Sequence, residues 1–215
     1  MKIFLKLLIP VSAALTFASC STPSTPNPNQ KEVYKAVFVN PYQKGTYLHF
    51  RHSPEYSKTS RAYRNESVLA KTNGSNARIV IDLSNQRGRL YNGNEVAMDY
   101  AISSGKKKYP TPPGKYQVLE KLEKDKRSTL YGKIYDAEDN VVNSDATNGK
   151  DPIPEGGRFE GASMPYWMRI SWDGIGMHRG RVPRYPASHG CIRTHSNSVS
   201  TVFSKVAKGT PVVVE

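Results

Sequence analysis

The sequence contains very little cysteine, with only Cys20 and Cys191 among 215 residues. A small fold held together by several disulfides is therefore excluded. A single bridge between the two is not indicated either, because Cys20 ends an N-terminal apolar segment and Cys191 lies in a run rich in histidine and glycine. We therefore expect Cys191 to be an unpaired thiol whose reactivity needs an explanation.

Hydrophobic and acidic residues are also scarce. Hydrophobic residues make up 37% of the chain, and mean hydropathy is -0.59. The 18 acidic residues are outnumbered by 31 lysines and arginines, which gives a net charge of +13. This balance favours a polyanionic partner, which could be nucleic acid, an anionic lipid surface or an anionic cell-wall polymer, and charge alone does not choose among them.

The N-terminus predicts an export signal. Lys2 and Lys6 precede a short apolar run, which is shorter than the ~20 residues that a transmembrane helix needs. The following Phe-Ala-Ser-Cys resembles the lipobox of bacterial lipoproteins, in which the cysteine, here Cys20, is lipidated and becomes the mature N-terminus. We therefore predict a signal peptide at residues 1–19 and an exported, lipid-anchored protein of the cell envelope. An ordinary cleaved signal with an incidental cysteine is the alternative.

Three further segments follow. Residues 20–30 are rich in proline, serine, threonine and asparagine, which predicts a flexible tether. Residues 31–76 lack clear periodicity, and we expect a loosely organised N-terminal extension packed against the main domain. Residues 77–215 form the predicted main domain. An exported chain seldom meets nucleic acid, so that partner is not expected.

The main domain is predicted to be mostly β. Residues 78–83 alternate apolar and polar side chains, and Asn92-Gly93 is typical of a hairpin turn. Near the end, Val199, Val202, Phe203 and Val206 recur at helical spacing and predict one short helix. Residues 136–163 carry seven acidic residues in a stretch without periodicity, which is either a solvated insertion or a long acidic loop over the functional site.

The residues around Cys191 point to acyl-transfer chemistry. A thiol with a pKa of about 8.5 is a weak nucleophile at neutral pH unless an imidazole takes its proton. Gly190 allows a tight bend in which main-chain N–H groups could form an oxyanion hole. Spacing alone leaves the identity of the base open among His178, His189 and His195.

Residues 178–193 resemble the active-site signature of the L,D-transpeptidase (YkuD-like) catalytic domain family, in which a histidine and a spacer precede Ser-His-Gly-Cys. The similarity extends over residues 77–215 and includes Ser104-Gly105 and the turn Thr111-Pro112-Pro113-Gly114. The resemblance implies a β-sandwich of the L,D-transpeptidase type, with no cofactor and no metal.

The resemblance also implies roles for individual residues. Cys191 would be the nucleophile and His178 the general base, oriented by the backbone carbonyl of Arg179. The residues expected to shape the oxyanion hole and its loop are Ser188, His189 and Gly190. The residues expected to bind substrate are Arg193, Tyr166, Trp167 and Met177.

The implied reaction joins two peptidoglycan stem peptides. Cys191 would attack the bond between the third residue and a terminal D-alanine, and an amine of a second stem would resolve the thioester in a three-to-three cross-link. Water as acceptor would give an L,D-carboxypeptidase, and a protein lysine would give attachment of a lipoprotein to the wall. We expect a monomer whose nucleophile is acylated by carbapenems.

Three rival interpretations use the same residues. A zinc site could recruit His178, His189, Cys191 and His195, but their spacing matches no familiar zinc pattern. Cell-wall cysteine peptidases place the cysteine before the histidine, whereas His178 precedes Cys191 here. A non-catalytic, polymer-binding lipoprotein would keep the fold without the reaction.

Overall fold

The computed structural model describes residues 38–215, which form one compact unit. The predicted signal peptide, Cys20 and the tether lie outside the described residues. In the described part, no helix has both the length and the apolar character needed to cross a bilayer. The elements are α1 (Tyr47–Arg51), β1 (Tyr63–Arg64), α2 (Glu66–Lys71), β2 (Ala77–Asp82), β3 (Arg87–Asn92), β4 (Glu95–Ser103), β5 (Gly114–Gln117), β6 (Glu120–Leu122), β7 (Arg127–Tyr135), β8 (Val141–Thr147), β9 (Arg158–Ser163), β10 (Trp167–Arg169), β11 (Gly176–Arg179), β12 (Ile192–Thr194), α3 (Ser196–Lys205) and β13 (Pro211–Val214).

The strands form one large curled sheet and one small sheet. The large sheet has the order β5-β13-β2-β3-β4-β12-β11-β10-β6, and β1 pairs with β4 outside this path. Most neighbours are antiparallel, but β13 pairs with β2 and β12 pairs with β11 in parallel. The small sheet has the order β8-β7-β9. The prediction of a mostly β fold with one short C-terminal helix is confirmed.

The apolar alternation seen in the sequence forms the core. Ile79 and Ile81 of β2 are fully buried and pack in one cluster with Met168, Met177 and other inner-face residues of β10–β12. Strand β4 belongs to both halves of the large sheet, so the sheet curls around this cluster. Helix α3 contributes its predicted apolar face to the same cluster, and the buried residues on that face include Val199 and Val202.

A lysine of β6 caps the C-terminus of α3. Lys121 Nζ donates to the carbonyl oxygens of Phe203 and Val206, at 2.6 and 2.5 Å. These carbonyls belong to the last turn of the helix, where intrahelical donors are lacking and a cation is favoured. The contact therefore joins the C-terminus of α3 to β6, the edge strand that pairs with β10.

The described part of the N-terminal extension packs against the main domain as expected, but it is not loosely organised. Residues 38–76 contain α1, β1 and α2, and β1 pairs with β4. The hydroxyls of Tyr47 and Tyr56 donate to Asp99 Oδ2 at 3.0 and 2.7 Å. The segment is thus attached to the central strand of the large sheet by specific buried contacts.

A buried ion pair carries this attachment. Arg87 Nε lies 2.7 Å from Asp99 Oδ1, and both side chains are fully buried. The two terminal nitrogens of the Arg87 guanidinium donate to the carbonyl oxygens of Thr59 and Arg61, at 2.9 and 3.1 Å. Because each donor of the fork has a fixed direction, the pair holds the backbone of the extension in one position.

The expected long acidic loop is interrupted by two strands. Residues 141–147 and 158–163 of this stretch form β8 and β9, which pair with β7 on either side. Only Ile134 and Ala146 are both apolar and fully buried in this sheet. The correction matters for function because Tyr131 of β7 contacts His189, so the small sheet reaches the candidate site.

Candidate active site

Two neighbouring parallel strands position the predicted catalytic pair. Met177 of β11 lies opposite Ile192 of β12, and His178 lies opposite Arg193. Met177 and Ile192 point into the core, with 2% and 0% exposure. Successive side chains of a strand alternate between its faces, so His178 and Arg193 share the opposite face. Cys191 immediately precedes β12, and its thiolate would accept the backbone N–H of Gly176 on β11.

The imidazole of His178 is held in one tautomer. Its Nδ1 lies 2.8 Å from the carbonyl oxygen of Arg179. A carbonyl oxygen only accepts, so Nδ1 carries the hydrogen and Nε2 keeps its lone pair. The ring of Trp167 lies against the imidazole, with centroids 6.2 Å apart. A side chain at Gly176 would overlap that indole, with an added Cβ 2.5 Å from its nearest atom, so glycine is required beside the pair.

Burial sets the protonation of both groups. Burial lowers the pKa of His178 to about 4, against a smaller opposing effect of the Arg179 carbonyl. Burial also raises the pKa of the Cys191 thiol, although the Gly176 amide and the charge of Arg193 oppose this rise. At neutral pH the resting pair is therefore an uncharged thiol and an uncharged imidazole. The geometry suits a general base that acts during attack, rather than a preformed ion pair.

The turn before Cys191 bends tightly at Gly190, as the sequence predicts. Gly190 has φ +104°, a left-handed conformation that favours glycine. The Gly190 N–H donates to Ser188 Oγ at 3.2 Å, and Ser188 Oγ donates to the Cys191 carbonyl. The Gly190 amide is thus already engaged, so Gly190 shapes the turn through its bend and does not supply a free donor to an oxyanion.

The Thr111-Pro112-Pro113-Gly114 turn is bonded to the loop that ends at Cys191. Thr111 Oγ1 donates to the Gly190 carbonyl at 2.7 Å and accepts the Gly105 N–H at 2.9 Å. The backbone of Ser188 is bonded to its neighbours at both ends, through its N–H to Ser104 and through its carbonyl to Lys106. Sequence reasoning singled out the two segments, but it missed that the Thr111 hydroxyl joins them to the cysteine turn.

His189 lies in an aromatic stack. Its ring is placed between Tyr131 and Tyr109, with centroid distances of 4.4 and 4.7 Å. Its Nδ1 is buried and has no hydrogen-bond partner in the described part of the chain. Burial and the nearby charge of Lys106 lower its pKa. His195 is the N-cap residue of α3 and has a buried Nε2 that is likewise unpartnered among the described residues.

Two of the predicted substrate contacts are wrong. Trp167 is 1% exposed and donates its Nε1–H to Glu120, and Met177 is a core residue. Neither has surface left for a ligand, because both fill the space behind the catalytic strands. Tyr166 is half-buried against Phe203, and Arg193 is half-buried on the face of His178.

The thiol has a contact that the sequence did not suggest. Cys191 Sγ lies 3.7 Å from the carbonyl oxygen of Gly174, in the turn that joins β10 to β11. Within residues 38–215, Cys191 forms no disulfide, and no three histidine, cysteine or acidic side chains are grouped as metal ligands. The turn that joins β10 to β11 thus contacts the thiol directly.

The chain is similar to known proteins of one family. The family model of the YkuD L,D-transpeptidase catalytic domain matches residues 76–214. Solved structures that resemble the chain include an L,D-transpeptidase from Mycobacterium smegmatis (21% identity, 65% of this chain and 58% of that chain, TM-score 0.49) and a cysteine-to-serine mutant of the Enterococcus faecium L,D-transpeptidase (32% identity, 65% and 50%, TM-score 0.48). The chain thus spans less than two thirds of these relatives.

A further solved structure has about the length of the matching region. The catalytic domain of the E. faecium L,D-transpeptidase is 31% identical, and the match covers 65% of this chain and 96% of that domain, with a TM-score of 0.46. No curated protein matches the chain. The family match covers well over half of the chain, from the first strand of the predicted main domain to the last. The chain belongs to the YkuD family of L,D-transpeptidase catalytic domains.

Proposed function

We propose that this protein is a peptidoglycan L,D-transpeptidase that uses Cys191 as its nucleophile. The proposal rests chiefly on His178, whose Nδ1–H is fixed by the Arg179 carbonyl and whose Nε2 is left to take a proton on the face that β11 shares with β12. The match to the L,D-transpeptidase family supplies the substrate class.

The first half-reaction forms a thioester. As Sγ of Cys191 attacks the carbonyl carbon of the third stem residue, Nε2 of His178 takes the thiol proton. The resulting oxyanion would be stabilised by main-chain N–H groups of the turn bent at Gly190. The C–N bond then breaks, and the same proton goes from Nε2 to the nitrogen of the departing D-alanine.

The second half-reaction releases the enzyme. The side-chain amine of another stem attacks the thioester carbonyl, and His178 Nε2 accepts its proton. The C–S bond breaks, and the thiolate of Cys191 is reprotonated from the imidazolium. Because burial disfavours both charged groups, the site returns to its uncharged resting pair.

Incubation with disaccharide-tetrapeptide tests the proposal. We expect mass spectrometry to detect release of D-alanine together with a cross-linked dimer, and a carbapenem to add its mass to the protein. The variant Cys191→Ala should show neither, because no other group forms the thioester. Release without dimer would identify a carboxypeptidase, dimer formation by Cys191→Ala would refute the mechanism, and an unchanged substrate with the wild-type protein would refute the function.

We also propose that the chain is a lipoprotein of the cell envelope, anchored through Cys20. The support lies in the sequence: a basic start, a short apolar run and a lipobox-like end, followed by a proline-rich tether. Cells expressing the protein and supplied with labelled palmitate should incorporate label into the wild type but not into Cys20→Ala. Equal labelling of both would exclude this anchor.

A further inference from the structure

The turn between β10 and β11 presents a tryptophan to solvent next to the catalytic thiol. The chain has two tryptophans, Trp167 and Trp172. Trp167 is 1% exposed, whereas Trp172 is 75% exposed. Trp172 lies two residues before Gly174, whose carbonyl contacts Cys191 Sγ. Two residues span at most about 7.6 Å between Cα atoms, so Trp172 belongs to the same short turn as the carbonyl that contacts the thiol.

Trp172 is exposed, but the backbone turn that carries it is held by hydrogen bonds. The Ile170 and Ser171 N–H groups both donate to the Ile175 carbonyl, at 2.9 and 3.1 Å, which closes the turn. Ser171 Oγ accepts the Asp173 N–H and donates to its carboxylate. The turn is therefore a closed, hydrogen-bonded loop that presents the indole in one place.

The guanidinium of Arg169 contacts the exposed indole of Trp172. The Arg169 guanidinium lies 5.5 Å from the Trp172 ring centroid and 5.5 Å from that of Trp167, and its Nε contacts Glu120. An arginine held between a buried and an exposed indole keeps the exposed ring oriented while leaving most of it open. No other part of the proposed mechanism uses Trp172.

We infer that Trp172 is a stacking platform for a hexosamine ring of the glycan strand that carries the donor stem, an inference that rests on the proposed function. A flat apolar ring beside the planar guanidinium of Arg169 suits a sugar, which has apolar C–H faces and equatorial hydroxyls. Three stem residues separate the acylated carbonyl from the glycan, and three extended residues span about 10 Å. Because the turn that carries Trp172 contacts the thiol, a glycan at the other end of this stem is within reach of the turn.

Kinetics with and without the sugar test the inference. For Trp172→Ala, the ratio of kcat/KM for disaccharide-tetrapeptide to that for the sugar-free tetrapeptide should fall about tenfold, mainly through a higher KM. Trp172→Phe should recover part of the ratio, because a smaller ring still stacks. Leu48→Ala removes an exposed apolar side chain of α1, outside the site, and should leave the ratio at its wild-type value. An unchanged ratio for Trp172→Ala overturns the inference.

A binding measurement separates this inference from the proposed function. Acrylamide should quench the exposed Trp172 far more than the buried Trp167, and a tetramer of N-acetylglucosamine should at least halve the quenching. Trp172→Phe should retain only the sugar-insensitive emission of Trp167. Protection in a protein that releases no D-alanine would support the platform while the proposed function fails. Absence of protection in an active enzyme would overturn the platform alone.

Discussion

Replacing His178 with glutamine is expected to slow acylation of Cys191 by roughly 10²- to 10⁴-fold, the range that a positioned general base contributes. The amide cannot take the thiol proton, and burial keeps the pKa of that thiol raised, so little thiolate forms in its place. Acylation by a carbapenem, followed by mass spectrometry under single-turnover conditions, measures the step directly.

The matched control is His52→Gln. His52 Nδ1 also lies close to a backbone carbonyl, 2.9 Å from that of Leu48, but the residue is exposed on the N-terminal segment. This variant should acylate at the wild-type rate. A His178→Gln protein that acylates within threefold of wild type would mean that another group takes the proton.

The pH dependence of the wild type gives an independent check of the same role. A base must be unprotonated, and the pKa of His178 is lowered to about 4 by burial. Acylation should therefore persist as the pH falls through 6.5, where an ordinary histidine becomes protonated, and should decline only as the pH approaches 4. A decline centred between pH 6 and 7 would show that burial does not lower the pKa of the base, and would contradict this prediction.

Replacing Arg87 with alanine is expected to lower the free energy of unfolding by about 3–5 kcal/mol, the cost of leaving one member of a buried ion pair alone. Asp99 would keep only its tyrosine donors, and the carbonyls of Thr59 and Arg61 would lose their partner. Burial and the charge of Asp99 raise the pKa values of Tyr47 and Tyr56, so both remain protonated donors. Urea denaturation of residues 31–215 measures the change.

Arg158→Ala is the control for a salt bridge of the same kind in solvent. Arg158 pairs with Asp139, and the two side chains are 51% and 74% exposed. Because exposed pairs contribute ~0–1 kcal/mol, this variant should unfold close to the wild type. Equal losses for the two variants would show that burial of the Arg87 pair adds nothing to its effect.

The sequence predicted those parts of the fold that rest on local pattern. The alternation of β2 and the spacing of Val199 and Val202 each follow from one buried face. Residues 130–135 of β7 are predicted as a strand, but β8 and β9 escaped prediction because Ala146 is the one apolar side chain that they bury fully, and their other positions are mostly exposed or half-buried. With so little buried on either face, no period of two stands out.

At the site, the resemblance predicted the contact between His178 and the Arg179 carbonyl, which the structure contains. It failed for Trp167 and Met177, because aromatic and methionine side chains next to a motif can equally well face inward. The contacts of Thr111 with Gly190 and of Tyr131 with His189 join residues far apart in the chain. Short-range spacing carries no information about such pairs.

The parallel pairing of β11 with β12 links misfolding of this protein to loss of its activity. A slip of β12 by one residue would turn Ile192 to solvent and point the neighbouring polar positions into the core, because side chains alternate at every step. The same slip would carry the sulfur away from the imidazole. A molecule with this register shift would thus lose activity and solubility together. Protein that is soluble but inactive through such a shift should therefore be rare. Selection for correct folding then also maintains the catalytic geometry.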